Sequence, residues 1–383
     1  MSRRRRAVLA GLALLALVVA VGGAAAWHFS SAVLVPEHQQ GRPVDATVEA
    51  LPPGRVVLDR SEDTERAGVY GLEWQAGHAI AGTVLRRDDE TVTRELRAVD
   101  GYLAAGMEVA VDPTVYAGDP TRALGLPSAD VTVRGELGPI PAWLIPGPGR
   151  TWAIVVHGIN STPETGLRIA PTLHRAGLPT LLIAYREDLG APPSPDGFHH
   201  MGLTEWRDLE AAARYALAHG ARRLVLVGYS MGGAIVSQFM ERSPLAPRVA
   251  GLVLDAPALD WQEILAFNAT EMGLPSFASL PVEWAIGARI DADWESLDAL
   301  RHPDDFQLPI LLFHGREDDV TPISTSDEFA ELLPQRVTYF RLPEAGHTES
   351  WNVDPGLYER RLSRFLAQEI GGRLSAQGRS ASN

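Results

Sequence analysis

Apolar residues fall into three regimes along this chain. Residues 7–26 are apolar throughout, about 56–125 carries short apolar runs broken by Gly and Asp, and from about 130 short apolar runs alternate with stretches repeating every three to four residues. Ala7 to Ala26 contains no charged or hydrogen-bonding side chain. As a helix it would reach ~30 Å, the thickness of a bilayer's hydrocarbon core, so it predicts a transmembrane helix. Arg3, Arg4, Arg5 and Arg6 precede it, which assigns residues 1–6 to the cytoplasm and the rest of the chain to the other side. The alternative is a cleaved signal peptide, with Ala24-Ala25-Ala26 as the small-residue cleavage site; the remainder is then secreted. Residues 27–55 contain Pro36, Pro43, Pro52 and Pro53 and read as an extended linker.

In the second regime, Arg55 to Leu58, Ala79 to Leu85 and Glu108 to Val111 predict strands of a small β-rich segment over 56–125. In the third, eight short runs predict strands: Val131 to Val133, Ala142 to Ile145, Ala153 to Val156, Thr180 to Ala184, Leu224 to Val227, Leu252 to Leu254, Ile310 to Phe313 and Val337 to Phe340. Most are apolar on both faces, as strands covered by helices on each side must be. Between them, Trp206, Leu209, Ala213 and Leu217 share one face of a helix ending near Gly220, Met231 to Arg242 follows its strand directly, and Leu357 to Ile370 closes the unit. The alternation predicts an α/β fold with a mostly parallel, doubly wound sheet over 126–370. Residues 260–305 interrupt it with two or three helical runs, a lid-like insertion or else a packing excursion. The polar tail 371–383 is expected to fray.

Composition narrows the function classes. A formal charge of −14 argues against a nucleic-acid partner, since phosphate binding is driven by Lys and Arg. No cysteine is present, which removes thiol nucleophiles, thiolate metal sites and disulfides.

The segment Leu224-Val225-Leu226-Val227-Gly228-Tyr229-Ser230-Met231-Gly232-Gly233 packs a strand, a sharp turn and a helix start into ten residues. A serine at the tip of such a turn needs small neighbours two positions away on either side, and Gly228 and Gly232 supply them. The helix that follows aims its first amides at the same place, where they can stabilise an oxyanion. A serine hydroxyl needs a base, and of eleven histidines only His347 lies in a loop between the last strand and the closing helix, facing the strand ends with Ser230. A carboxylate must orient the imidazole. Asp318, just past the strand Ile310 to Phe313, is the choice, with Asp319 and Glu317 as alternatives because spacing does not say which side chain turns inward. The Met231 amide is one oxyanion donor and the Ile159 amide, in the loop His157-Gly158-Ile159-Asn160, the other. The pair His199-His200 lacks partners at ligand spacing, so neither a metal nor any other cofactor is expected.

These motifs resemble the α/β-hydrolase superfamily in the family's own order: His-Gly loop, Gly-Tyr-Ser-Met-Gly-Gly elbow, His-Gly-x-x-Asp loop and late Gly-His. The chain is similar in particular to bacterial membrane-anchored members with a Tyr-Arg loop, here Tyr185 and Arg186. The resemblance implies ester, thioester or peptide hydrolysis through an acyl-serine. The expected function is a carboxylesterase-type serine hydrolase acting on a small-molecule or lipid ester outside the cytoplasm at the membrane. A serine aminopeptidase or acyltransferase would use the same machinery, with Glu283 and Asp291 as candidate amine binders. A non-catalytic binding protein on the same scaffold is the alternative from another class.

Overall fold

The computed structural model describes residues 3–37 and 44–371. Helix α1 (Arg3–Leu34) absorbs the apolar segment and runs past it. The membrane span expected at 7–26 is part of this helix, yet among the described residues no helix is long and apolar enough to cross a membrane. Most side chains of that span lie outside the described residues.

The expected linker at 27–55 is corrected at its two ends, and 38–43 lie outside the described residues. Its first turns are the end of α1, and its last part is β1 (Ala46–Ala50), which pairs with β2 (Arg55–Asp59). Ala46 and Val48 alternate inward while Pro52 and Pro53 occupy only the turn, so a short period-2 signal sits among prolines that suggest looser chain. After α2 (Glu62–Glu65) come β3 (Tyr70–Trp74), β4 (Gly77–Arg87), β5 (Thr91–Asp100) and β6 (Glu108–Asp112). Strand β6 returns to β1, closing a six-stranded antiparallel barrel in the order β1-β2-β5-β4-β3-β6. Val48, Val56, Leu58, Leu72 and Val109 fill it. The barrel ends at Asp112; α3 (Pro120–Leu124), capped by Asp119, leads to the second unit.

That unit opens with β7 (Ala129–Arg134) and β8 (Pro139–Ile145), an antiparallel edge pair. Then follow β9 (Thr151–Val156), α4 (Ala170–Arg175), β10 (Thr180–Ile183), α5 (Trp206–Ala218), β11 (Arg223–Tyr229), α6 (Met231–Arg242) and β12 (Val249–Asp255). The interval 260–305 holds α7 (Trp261–Glu271) and α8 (Leu280–Ile290). The unit finishes with β13 (Ile310–Gly315), α9 (Ile323–Leu332), β14 (Val337–Leu342), α10 (Ser350–Val353) and α11 (Pro355–Phe365). The eight strands lie in the order β14-β13-β12-β11-β9-β10-β8-β7, parallel from β14 to β10. Every residue of β12 is buried, as a strand sandwiched between helices requires. On one face the strands pack on Leu209, Ile235 and Phe239 of α5 and α6, and on the other on Leu173, Tyr358 and Leu362 of α4 and α11.

Because β10 and β11 lie on opposite sides of β9, the connections diverge there and leave a crevice at the carboxyl ends of β9 and β11. The end of α1 docks on α8: Leu34 is fully buried, and the Arg289 guanidinium lies over Trp27 and donates to the hydroxyls of Ser30 and Ser31. The expected tail lies outside the described residues beyond residue 371.

Candidate functional site

Ser230 is the single residue between β11 and α6, with φ 51° and ψ −121°. Such backbone is costly for a residue with a side chain, on the order of 1–3 kcal/mol, and persists only when its surroundings fix it. Here the Ser230 amide donates to the Asp255 carbonyl at 3.1 Å, and the Ser230 carbonyl accepts from Gly233 and Ala258 at 2.8 and 3.0 Å. The glycines are required by close approach: a Cβ on Gly228 would lie 2.6 Å from the Gly232 carbonyl oxygen, and one on Gly232 2.3 Å from that of Val156.

His347 Nε2 stands 2.8 Å from Ser230 Oγ, and His347 Nδ1 donates to Asp318 Oδ2 at 2.9 Å. Since Nδ1 faces a carboxylate, it carries the proton, and Nε2 is left to accept from the serine hydroxyl. Among the three acids past β13, Asp318 is buried whereas Glu317 and Asp319 are exposed. Asp318 Oδ1 also accepts from the amides of Val320 and Thr321, and Oδ2 from the Thr321 hydroxyl. Burial alone would raise the Asp318 pKa, but His347 and His314 outweigh it and hold the carboxyl well below its usual range.

Thr321 was not singled out by sequence, and His314 only as the first residue of the His-Gly-x-x-Asp loop. His314 is fully buried; its Nε2 lies 3.2 Å from Asp318 Oδ2 and 3.1 Å from the Thr321 carbonyl, and its Nδ1 faces the Ser326 hydroxyl at 2.7 Å. The His-Gly pair that ends β13 was the available signal, although a lone histidine there reads equally as core.

The loop after β9 touches the nucleophile, since a Cβ on Gly158 would lie 2.9 Å from Ser230 Cβ. Ile159 and Gly158 line the cleft with Ser230. The Met231 amide heads α6 and, like any first-turn N–H, has no carbonyl in its own helix to bond. Tyr185 donates its hydroxyl to the Gly158 carbonyl at 2.8 Å, and His157 stacks on Tyr185 and reaches Asp188 at 2.9 Å. His199 and His200 turn to different partners, Asn160 and Asp196.

Ser230 and His347 open into a cleft of about 710 Å³. Glu62, Glu65, Arg66, Ala67 and Arg87 of the barrel unit form one wall; no residue of 260–305 lines it. The insertion buries Ile264 and Ile286 in the core instead, with α8 lying against α1. Glu283 accepts from Gln262 and Ser279, and neither it nor Asp291 reaches the cleft.

A family model described as serine aminopeptidase, S33, matches residues 150–299, and one described as a domain of unknown function matches 46–112. An esterase of Pyrococcus furiosus is similar at 18% identity and a TM-score of 0.53, covering 66% of this chain and 95% of its own. A puromycin-hydrolysing peptidase of Mycobacterium tuberculosis is similar at 18% identity and a TM-score of 0.50, covering 85% of this chain and 53% of its own. The second unit has the α/β-hydrolase fold. No curated protein matches this chain. The unknown-function model spans the hydrolase's barrel from the start of β1 to the end of β6.

Proposed function

We propose that this α/β-hydrolase cleaves a carboxylic ester or related acyl bond through an acyl-Ser230 intermediate. The observation that carries the reading is the hydrogen-bonded chain from Asp318 through His347 to Ser230 at the floor of an open cleft. Ser230 Oγ attacks the carbonyl carbon while its proton passes to His347 Nε2, and the Asp318 carboxylate stabilises the imidazolium so formed. The oxyanion is received by the amides of Met231 and Ile159. His347 returns the proton to the leaving oxygen or nitrogen as the tetrahedral species collapses. A water, deprotonated by the same imidazole, then releases the acid and restores the serine. The chemistry calls on no cofactor.

One observation favours an amine-bearing substrate as a second reading. Glu62, Glu317, Asp319 and Glu344 line the cleft; of the arginines that also line it, Arg66 and Arg87 are paired with Glu349 and Glu65, and Arg168 is buried and donates to Pro113, Thr348 and Asn352. A cationic amine beside the scissile bond would meet attraction there, as an aminopeptidase requires. The similar folds include both an esterase and a peptidase, so fold leaves the choice to the cleft.

We also propose that the chain is held at a membrane by residues 7–26 with its catalytic unit on the non-cytoplasmic side. The support is the uncharged twenty-residue segment after four arginines.

The test treats the full chain and Ser230→Ala with a fluorophosphonate probe, p-nitrophenyl esters of increasing acyl length and aminoacyl naphthylamides. Labelling and turnover lost in the variant support the acyl-serine route, and the faster substrate series assigns the class. A folded wild type that neither labels nor turns over would point to a binding protein. Recovery of activity in a salt-washed membrane pellet would support anchorage, and recovery in the supernatant would refute it.

A further inference from the structure

We propose that the N-terminal barrel is a built part of the catalytic site: through Arg66 and Tyr70 it clamps Glu349 and thereby positions the loop that carries His347. The proposal rests on the reading of His347 as the general base.

The clamp begins inside the barrel unit. Arg94 is only 1% exposed. Its Nε donates to the Gly82 carbonyl, Nη1 to those of Thr64 and Arg66 at 3.0 and 2.8 Å, and Nη2 to that of Gly68 at 2.6 Å. One guanidinium therefore fixes the backbone of 64–68 at three points, which a flexible surface loop would not show. The loop so fixed presents two side chains to one carboxylate. Arg66 Nη1 reaches Glu349 Oε1 at 2.8 Å, and the Tyr70 hydroxyl donates to Glu349 Oε2 at 3.0 Å. Glu349 is 4% exposed and stands two residues from His347. Burial, and then Glu349 itself, hold the Tyr70 phenol well above its usual range, so it stays a donor.

The backbone contacts repeat the message. The Val69 amide donates to the Asn352 carbonyl at 3.0 Å, and Asn352 Nδ2 returns bonds to the carbonyls of Val69 and Pro113, both at 2.8 Å. Gly68 sits so close that a Cβ there would lie 2.1 Å from the Asn352 oxygen. From the hydrolase side, buried Arg168 donates to the Thr348 carbonyl and to Asn352 Oδ1 at 2.8 and 2.7 Å.

The His347 loop needs such restraint. Thr348, next to the base, has φ 57°, a conformation a β-branched residue holds only when its neighbours impose it. The imidazole must keep Nε2 on Ser230 and Nδ1 on Asp318 together, and a displacement of about 1 Å costs on the order of a hundredfold in rate. The barrel thus has a role in the chemistry without touching the reacting atoms: Arg66, Tyr70 and Glu349 are positioning residues.

The experiment measures p-nitrophenyl acetate turnover and the rate of fluorophosphonate labelling at Ser230. It uses the full chain, Glu349→Gln, Arg66→Met, Tyr70→Phe, the Arg66→Met/Glu349→Gln double variant and Arg66→Lys, with melting temperatures for each. Expected is a fall in kcat of roughly ten- to hundredfold for Glu349→Gln and Arg66→Met. KM should stay within about twofold, labelling should slow in step, and the double variant should be no worse than the worse single one, since both break one contact. Arg66→Lys should restore most of the rate. Folded variants with wild-type kcat, single effects that multiply in the double, or a loss that only follows the unfolded fraction would each overturn the clamp. Should Glu349→Gln not fold, Tyr70→Phe, which removes one hydroxyl, decides by the same split of kcat from KM. A folded wild type that never labels would instead remove the general-base reading and the clamp with it.

Discussion

At Asp318 three acids in a row differ only in where their side chains point, and the local environment selects among them. The amides of Val320 and Thr321, the Thr321 hydroxyl and two imidazoles converge on the middle one, while Glu317 and Asp319 face the cleft mouth. Asp318→Asn should therefore lower kcat by about 10⁴, through the wrong histidine tautomer, whereas Asp319→Asn should leave it within about twofold; steady-state kinetics on one ester decides. Ser230 and His347 were legible because each sits in a motif whose spacing states its geometry. The inward acid was legible only as Asp318 ahead of Asp319 and Glu317, because its selection depends on Thr321 and on His314 at the end of β13. Asp255 gives a second prediction at this scale. It is fully buried at the end of β12, accepts from the Ser350 hydroxyl at 2.8 Å, and has its carboxyl pushed up to about 6, by burial first, against the opposing pull of Arg168. A raised folded-state pKa favours the protonated form, so its contribution to stability is complete below the unfolded value and is lost as pH rises through about 6. Relative to wild type, Asp255→Asn should gain on the order of 2–3 kcal/mol between pH 4 and pH 7 in denaturant titrations. A stability difference independent of pH would sink that assignment.

Elements in this molecule are mostly local, but what fixes their ends is not. Helix α5 is readable from its three-to-four spacing and β9 to β12 from their unbroken apolar runs. The long segment between β10 and α5 reads as polar loop, yet the structure knits it tightly. Arg186 Nε and Nη2 reach both oxygens of Asp208 at 2.7 and 3.0 Å, and the Arg186 amide donates to the same carboxylate. Both side chains are almost fully buried. Glu205 likewise accepts from the amides of His200, Gly202 and Thr204. The Arg186–Asp208 pair joins residues 22 apart, and neither it nor the Glu205 contacts follow a periodicity that announces them. Removing one partner leaves a buried charge uncompensated, so Asp208→Ala should lose about 3–5 kcal/mol by urea denaturation. A loss under about 1 kcal/mol would mean that water replaces the carboxylate and that the pair does not hold the loop.

Across the whole molecule, the sheet was legible and the relations between units were not. Eight short apolar runs announce eight strands, and the run of parallel pairs follows from helices lying between them. The barrel hid its closure because β5, Thr91–Asp100, carries charge along an exposed face, and because β1 lies among prolines. The reach of α1 was hidden for another reason: the segment that looks membrane-bound and the first residues of the one that looks like linker are one helix, and its end belongs to the hydrolase core. Leu34 is wholly buried there and its carbonyl accepts from the His199 amide at 2.8 Å. The Glu37 amide donates to Asn160 Oδ1 at 2.9 Å, next to Ile159 in the cleft loop. Two truncations separate this docking from any role of the apolar segment. A chain beginning at residue 27 keeps Trp27, Ser30, Ser31 and Leu34 against Arg289 and the core, and should melt within a few degrees of the full chain. A chain beginning at residue 38 loses the buried leucine and the partners of Arg289, a loss of at least the ~2–5 kcal/mol typical of emptying a buried leucine site. For a unit of this size that should lower the melting temperature by roughly 5–15 °C. Because Glu37 leaves with it, kcat measured on p-nitrophenyl acetate should fall further than the unfolded fraction accounts for at 25 °C. Equal melting of the two truncated chains would show that the α1 end merely rests on α8. Equal melting temperatures of the shorter chain and the full chain would also remove Leu34 from the core on which the sheet depends.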